Sequence, residues 1–103
     1  MAFRIEVAAK AETDISEGVD YIRKDSPTRA IRWYEDLFLA LQTLDALPGR
    51  YPLIPESGQL KRNLRSIHHH SHRVIYEVDE EHEIVFVIRV FHSARKPLSK
   101  KEI

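Results

Sequence analysis

Asp79-Glu80-Glu81-His82-Glu83-Ile84-Val85-Phe86-Val87-Ile88-Arg89-Val90-Phe91-His92 is the stretch on which the fold turns. Asp79 to His82 is a polar hairpin turn, and Glu83 to Phe91 is a strand. Within it Ile84 to Ile88 is apolar on both parities, as expected of a central strand covered on both faces or lying beneath a ligand groove. Reading backwards, His72 to Asp79 and Leu64 to His70 are two further strands. The second half of the chain is therefore expected to be an antiparallel three-stranded meander.

Upstream, residues 48 to 63 hold three prolines, two glycines and the basic pair Lys61-Arg62 without sustained periodicity, and they predict an ordered loop. Before the loop the period changes to that of a helix. Ala30, Tyr34, Leu37, Leu41 and Leu44 form one stripe, which Ile31, Trp33 and Phe38 widen beyond a one-sided face. Ser26-Pro27 starts this second helix, because Ser supplies a cap oxygen and Pro lacks only an N–H that a first turn leaves unpaired anyway. Leu47-Pro48-Gly49 stops it, for a length of about 20 residues or roughly 30 Å. Ala11, Ile15, Val19 and Ile22 define a first helix ending near Lys24, and so short a connection forces the two helices antiparallel. Phe3, Ile5 and Val7 alternate with Arg4 and Glu6 as an N-terminal strand. Lys96 to Ile103 is a charged tail.

These elements fix the class as α+β: an N-terminal strand, then an antiparallel helix hairpin packed on an antiparallel sheet. At 103 residues the chain is one domain, 1–103, and 43% hydrophobic with 31% charged residues is a globular composition. No cysteine means no disulfide framework, thiolate zinc site or cysteine nucleophile, which makes the cytoplasm the default compartment. No apolar run is long enough for a signal peptide or membrane span. Sixteen basic residues balance sixteen acidic ones, so any contact with a polyanion must be local.

Several residues are candidates for chemistry. Alternation puts Arg73 on the open side of the sheet, away from helix-facing Val74 and Val78, where Arg65 and Arg89 would join it in a site for phosphate or carboxylate. A salt bridge from Arg73 to Glu77 or Glu6 is the structural alternative. His92, three residues before Arg95, has the titration range of a general acid or base, though a histidine bonded to backbone is the commoner case. The run His68-His69-His70-Ser71-His72 suggests a metal through His68, His70 and His72. It contains no acid, however, and a turn near Ser71 would send His72 to the next strand, so no metal or other cofactor is expected. Trp33, Tyr34 and Phe38 read chiefly as core, the excess width of the stripe leaving one of them for a partner.

Motifs in a fixed order carry a resemblance across nearly the whole chain: Ala11-x-x-Asp14-Ile15, Ser26-Pro27-x-x-Ala30, Leu44-x-x-Leu47-Pro48-Gly49-Arg50, Leu64-Arg65, His72-Arg73-Val74-Ile75-Tyr76 and Ile88-Arg89-Val90-Phe91-His92-x-x-Arg95. Together they resemble the RelE/ParE superfamily of bacterial toxins, with the final run closer to the ParE branch. Ala8 and Ala9 stand where a Ser or Thr cap is expected. The resemblance implies a toxin of a type II toxin-antitoxin, plasmid-stabilisation system that inhibits DNA gyrase and is neutralised by a cognate antitoxin, touching operator DNA only through that antitoxin. It implies target contacts at Arg73, Arg89, His92 and Arg95, with Trp33 and Phe38 expected to meet the antitoxin. The alternatives are a RelE-like, ribosome-dependent mRNA endonuclease using Arg65, Arg73, His92 and Arg95, and a non-toxic antitoxin-binding module. The lysine pair and terminal Tyr of the nuclease branch have no counterpart here.

Overall fold

A computed structural model describes residues 2–92 and 99–103. In chain order the elements are β1 (Arg4–Val7), α1 (Ala9–Asp25), α2 (Pro27–Gln42), the short α3 (Ser57–Leu60), β2 (Leu64–His69), β3 (His72–Asp79) and β4 (Ile84–His92), with single 3-10 turns at Thr43–Asp45, Pro48–Arg50 and Lys100–Glu102. The strand order is β1-β4-β3-β2, so the doubly apolar strand is central. The meander is antiparallel as expected. β1, however, pairs parallel with β4, Arg4 opposite Ile84 through Val7 opposite Val87, and the sheet is mixed.

Both faces of the sheet are covered. On one side Val74, Tyr76, Val85, Val87 and Val90 pack against Ala11, Trp33, Leu37, Leu41 and Leu44 of the helical layer. On the other, Ile75, Ile88 and Phe91 meet Ile54, Leu60 and Leu64, with Ile103 against the cluster. The loop 48–63 thus supplies a second lid, and this is why Ile84 to Ile88 is apolar on both parities. A register shift between Ile75 and Tyr76 leaves Ile88 as the extra residue of β4. The bulge puts Val90 back on the helix side with Val87.

Helix α2 ends at Gln42, five residues earlier than the sequence pattern suggests. The Thr43 hydroxyl donates to the Ala40 carbonyl at 2.6 Å and the chain tightens into a 3-10 turn, so α2 is about 24 Å long. Its start is as read: Pro27 opens the helix and the Ser26 hydroxyl accepts the Arg29 N–H at 3.2 Å. At the head of α1, Ala8 has extended cap geometry but no side chain to use it. The helices approach closely at Gly18, where a Cβ would stand 2.9 Å from the Trp33 ring. Among the described residues no helix is long and apolar enough to cross a membrane.

Candidate functional site

The cations expected to share an open sheet face are separated, and each is tied to a neighbour: Arg73 and Arg89 to carboxylates, Arg65 to a backbone carbonyl. Cross-strand register puts Arg65 opposite Tyr76, on the helix side, whereas Arg73 lies opposite Phe91 and His68 on the other. Arg65 donates to the Tyr51 carbonyl. The face that carries Arg73 is not open, because Ile54, α3 and Ile103 cover it. There the Arg73 guanidinium donates to Glu56 at 2.8 Å, and the Glu56 side chain is only 8% exposed. Neither Glu77 nor Glu6 is its partner: Glu77 takes two bonds from Arg62, at 2.8 and 3.2 Å, and Glu6 pairs with Arg4. The hydrogen bond to Glu77 raises the Arg62 pKa against the opposing effect of burial.

Arg89 is also committed. Its Nε and Nη2 each donate at 2.8 Å to the two oxygens of Asp14 on α1, and Nη1 donates to the Glu102 carbonyl. Asp14 accepts the Val90 N–H at 2.9 Å as well, and the guanidinium lies 4.3 Å above the Phe91 ring. Hydrogen bonding to Asp14 outweighs burial and raises the Arg89 pKa. With side chains 12% and 8% exposed, this pair rivets the edge of β4 to α1 and to the C-terminal turn. The Ala11-x-x-Asp14 motif was visible in the sequence, but its partner 75 residues away was not.

His92 ends β4 and is exposed, directly across from half-buried His72, with the two rings 5.3 Å apart. Arg95 lies outside the described residues. His68 projects on the Arg73 side, His70 sits in the β2–β3 turn with φ 55°, and His72 faces the helices, so the three diverge. Beside His72 a cleft of about 810 Å³ opens between α1, the start of α2 and the strand ends, with Glu17, Asp25, Arg29, Arg32 and Trp33 on its walls.

A second groove runs along the outer seam of the helix hairpin. Ile15, Val19, Ala30, Ile31, Tyr34 and Phe38 line about 720 Å³ of mainly apolar space. Phe38 is 49% exposed, Tyr34 42% and Ile31 62%, and the two rings meet edge to face at 5.1 Å. Trp33 does not join them. At 5% exposure it is core, because it sits on the α2 face that packs on Gly18 and the strand ends, and its Nε1 has no hydrogen-bond partner among the described residues. Trp33 therefore offers no surface to a partner, and Tyr34 and Ile31 are the exposed residues beside Phe38. These two flank Phe38 at helical spacing, a signal already present in the width of the stripe.

The fold recurs in solved structures. A chain of the chromosomal ParDE toxin-antitoxin system of Pseudomonas aeruginosa superposes with a TM-score of 0.68 at 13% identity, over 88% of this chain and 96% of that one. One from the RelBE2 toxin-antitoxin complex of Mycobacterium tuberculosis gives 0.61 at 22% identity, over 89% and 99%. At these identities the likeness is one of fold. A search of curated proteins gives no significant match. The family model described as the ParE toxin of the type II toxin-antitoxin system, parDE, matches residues 5–97, nearly the whole chain including the Arg89 to Arg95 run. The chain belongs to the ParE toxin family of type II toxin-antitoxin systems.

Proposed function

We propose that this toxin acts by protein contact on DNA gyrase and that a cognate antitoxin silences it by seating on the helix-hairpin groove. One observation carries the choice of target: the sheet cations are split between two faces, and Arg73 and Arg89 are each tied to a largely buried carboxylate. Cutting a phosphodiester requires cations and an acid or base within reach of one phosphate. Here, turning Arg73 or Arg89 toward RNA would break a buried pair. That arrangement favours the gyrase reading over the mRNA endonuclease. Exposed His92, with Arg95 beyond it, remains the candidate target contact.

For the antitoxin, Phe38 and Tyr34 supply the aromatic anchors that stable interfaces of about 1,600 Å² rest on. Operator DNA is then reached through the antitoxin, and the toxin needs no cofactor. Expression with pulse labelling tests the target: DNA synthesis should fall first while protein synthesis continues. An immediate stop in protein synthesis would reverse the assignment, and no arrest at all would leave the binding-module reading. Phe38→Glu, at an exposed position, should keep the fold and weaken antitoxin binding by about 30-fold or more, the scale of a hot spot. Unchanged affinity would place the antitoxin elsewhere.

A further inference from the structure

Where β2, β3 and β4 end against α2, four imidazoles gather around the single tryptophan of the chain. The Trp33 ring lies 5.6 Å from that of His69 and 5.0 Å from that of His72. The ring contacts continue edge to face on both sides, with His70 4.6 Å from His69 and His92 5.3 Å from His72. His69 is 6% exposed, and its Nε2 stands 3.1 Å from the Trp33 carbonyl, which assigns the ring hydrogen to Nε2. We propose that His69 and His72, packed against Trp33, are an acid-sensitive latch that fastens the β2–β3 hairpin to α2, closed while these two rings are neutral and released as they charge.

The charges around the cluster do little to oppose release. From α1, Asp14, Glu17 and Asp25 line the adjoining cleft, but Asp14 is already held by Arg89 and the Val90 N–H. From α2, Arg29 and Arg32 add positive charge, and Asp36 stands 3.7 Å from the outermost ring, His70. Among the described residues neither His69 nor His72 has a carboxylate within ion-pairing distance. Burial is the main influence holding both below the usual imidazole range. For His72, like charge on His92, His69 and His70 adds to it and the field of Asp14 opposes it; for His69, the Trp33 carbonyl and Asp36 oppose it while His70 adds to it. The sign follows from linkage. An unfolded histidine takes its proton near pH 6.5, these two later, so stability is complete above about pH 6.5 and falls as pH drops below it.

Denaturation of the full chain followed by Trp33 fluorescence between pH 6.5 and 5.5, above the range of ordinary carboxylates, tests the latch. One extra proton bound on unfolding raises the unfolding constant about tenfold per pH unit. That rise is expected in the wild type and in His82→Asn, at the opposite end of the sheet, and should weaken in His72→Asn. Wild-type imidazole NMR, which needs no variant to fold, should show His69 and His72 titrating below 6.5, with amide exchange at residues 68–73 accelerating beyond its intrinsic pH dependence over the same range. A flat unfolding constant, a rise undiminished in His72→Asn, titration of both rings at or above 6.5, or protection of residues 68–73 that does not change with pH would overturn the proposal.

Discussion

Asp14 concentrates the residue-scale consequences. Its carboxylate holds Arg89 twice and the Val90 N–H once, so Asp14→Ala strands a buried guanidinium and a backbone donor together. Removing one partner of a buried pair costs about 3–5 kcal/mol. Arg4→Ala, at an exposed pair with Glu6, should cost less than about 1 kcal/mol. Chemical denaturation of the two variants measures the contrast, and equal costs would show that Asp14 is not a rivet. Tyr76 gives a pH signature of its own. Fully buried, with its hydroxyl donating to the Pro48 carbonyl at 2.6 Å, it has its pKa pushed by burial up to about 12. The fold therefore keeps the phenol neutral, and stability complete below pH 10 should decline as pH rises towards 12. Tyr76→Phe should flatten that alkaline decline. At this scale alternation placed Val74 and Val78 towards the helices and Arg73 away from them, but it put Arg65 on the wrong face. It did not show the partners of Arg73 and Arg89, because Glu56 sits in an aperiodic loop and Asp14 on a helix far upstream.

At the scale of elements, periodicity located α1, α2 and all four strands, since each has at least one face against a core, but not the four-residue α3, which lies in the segment read as a loop. What it missed is set by single hydrogen bonds. Helix α2 stops at Gln42 because Thr43 bonds back to Ala40, and no gap in the apolar stripe marks the place. The absent cap on α1 was legible, and it is correctable. Ala8 is exposed and already extended, so Ala8→Asp should stabilise by about 0.5–2 kcal/mol, raising Tm by several degrees in calorimetry. A destabilised variant would mean that the cap geometry is wrong. Gly18 works in the opposite direction. Helix propensity favours Gly18→Ala by about 1 kcal/mol, but its Cβ would press on the Trp33 ring at 2.9 Å, and overpacking costs about 1–3 kcal/mol. A net loss of stability with altered Trp33 emission is expected. A gain would show that the helices can part without cost.

For the molecule as a whole, the meander and its central strand were legible because local alternation and turn residues encode them. The parallel pairing of β1 with β4 was not, since it is made by residues some 80 positions apart and leaves no mark on alternation. Partners that alternation does not reveal hid the candidate site too, Asp14 lying 75 positions from Arg89 and Glu56 17 from Arg73. Whether sheet arginines converge depends on register and on what covers each face, and the loop 48–63 brings its own acid, Glu56, to the face that read as open. The sheet arginines Arg73 and Arg89 are paired, and what the fold exposes is a histidine at a strand end and an apolar helical groove, which suits protein contact better than phosphodiester chemistry. Two assays on the same purified toxin test that claim most directly: supercoiling by DNA gyrase, and cleavage of ribosome-bound mRNA in a purified translation system. Blocked supercoiling or a trapped cleaved complex, relieved by antitoxin, is expected, with the mRNA intact. Codon-register cleavage of the mRNA, lost in His92→Ala, with supercoiling unaffected, would contradict it.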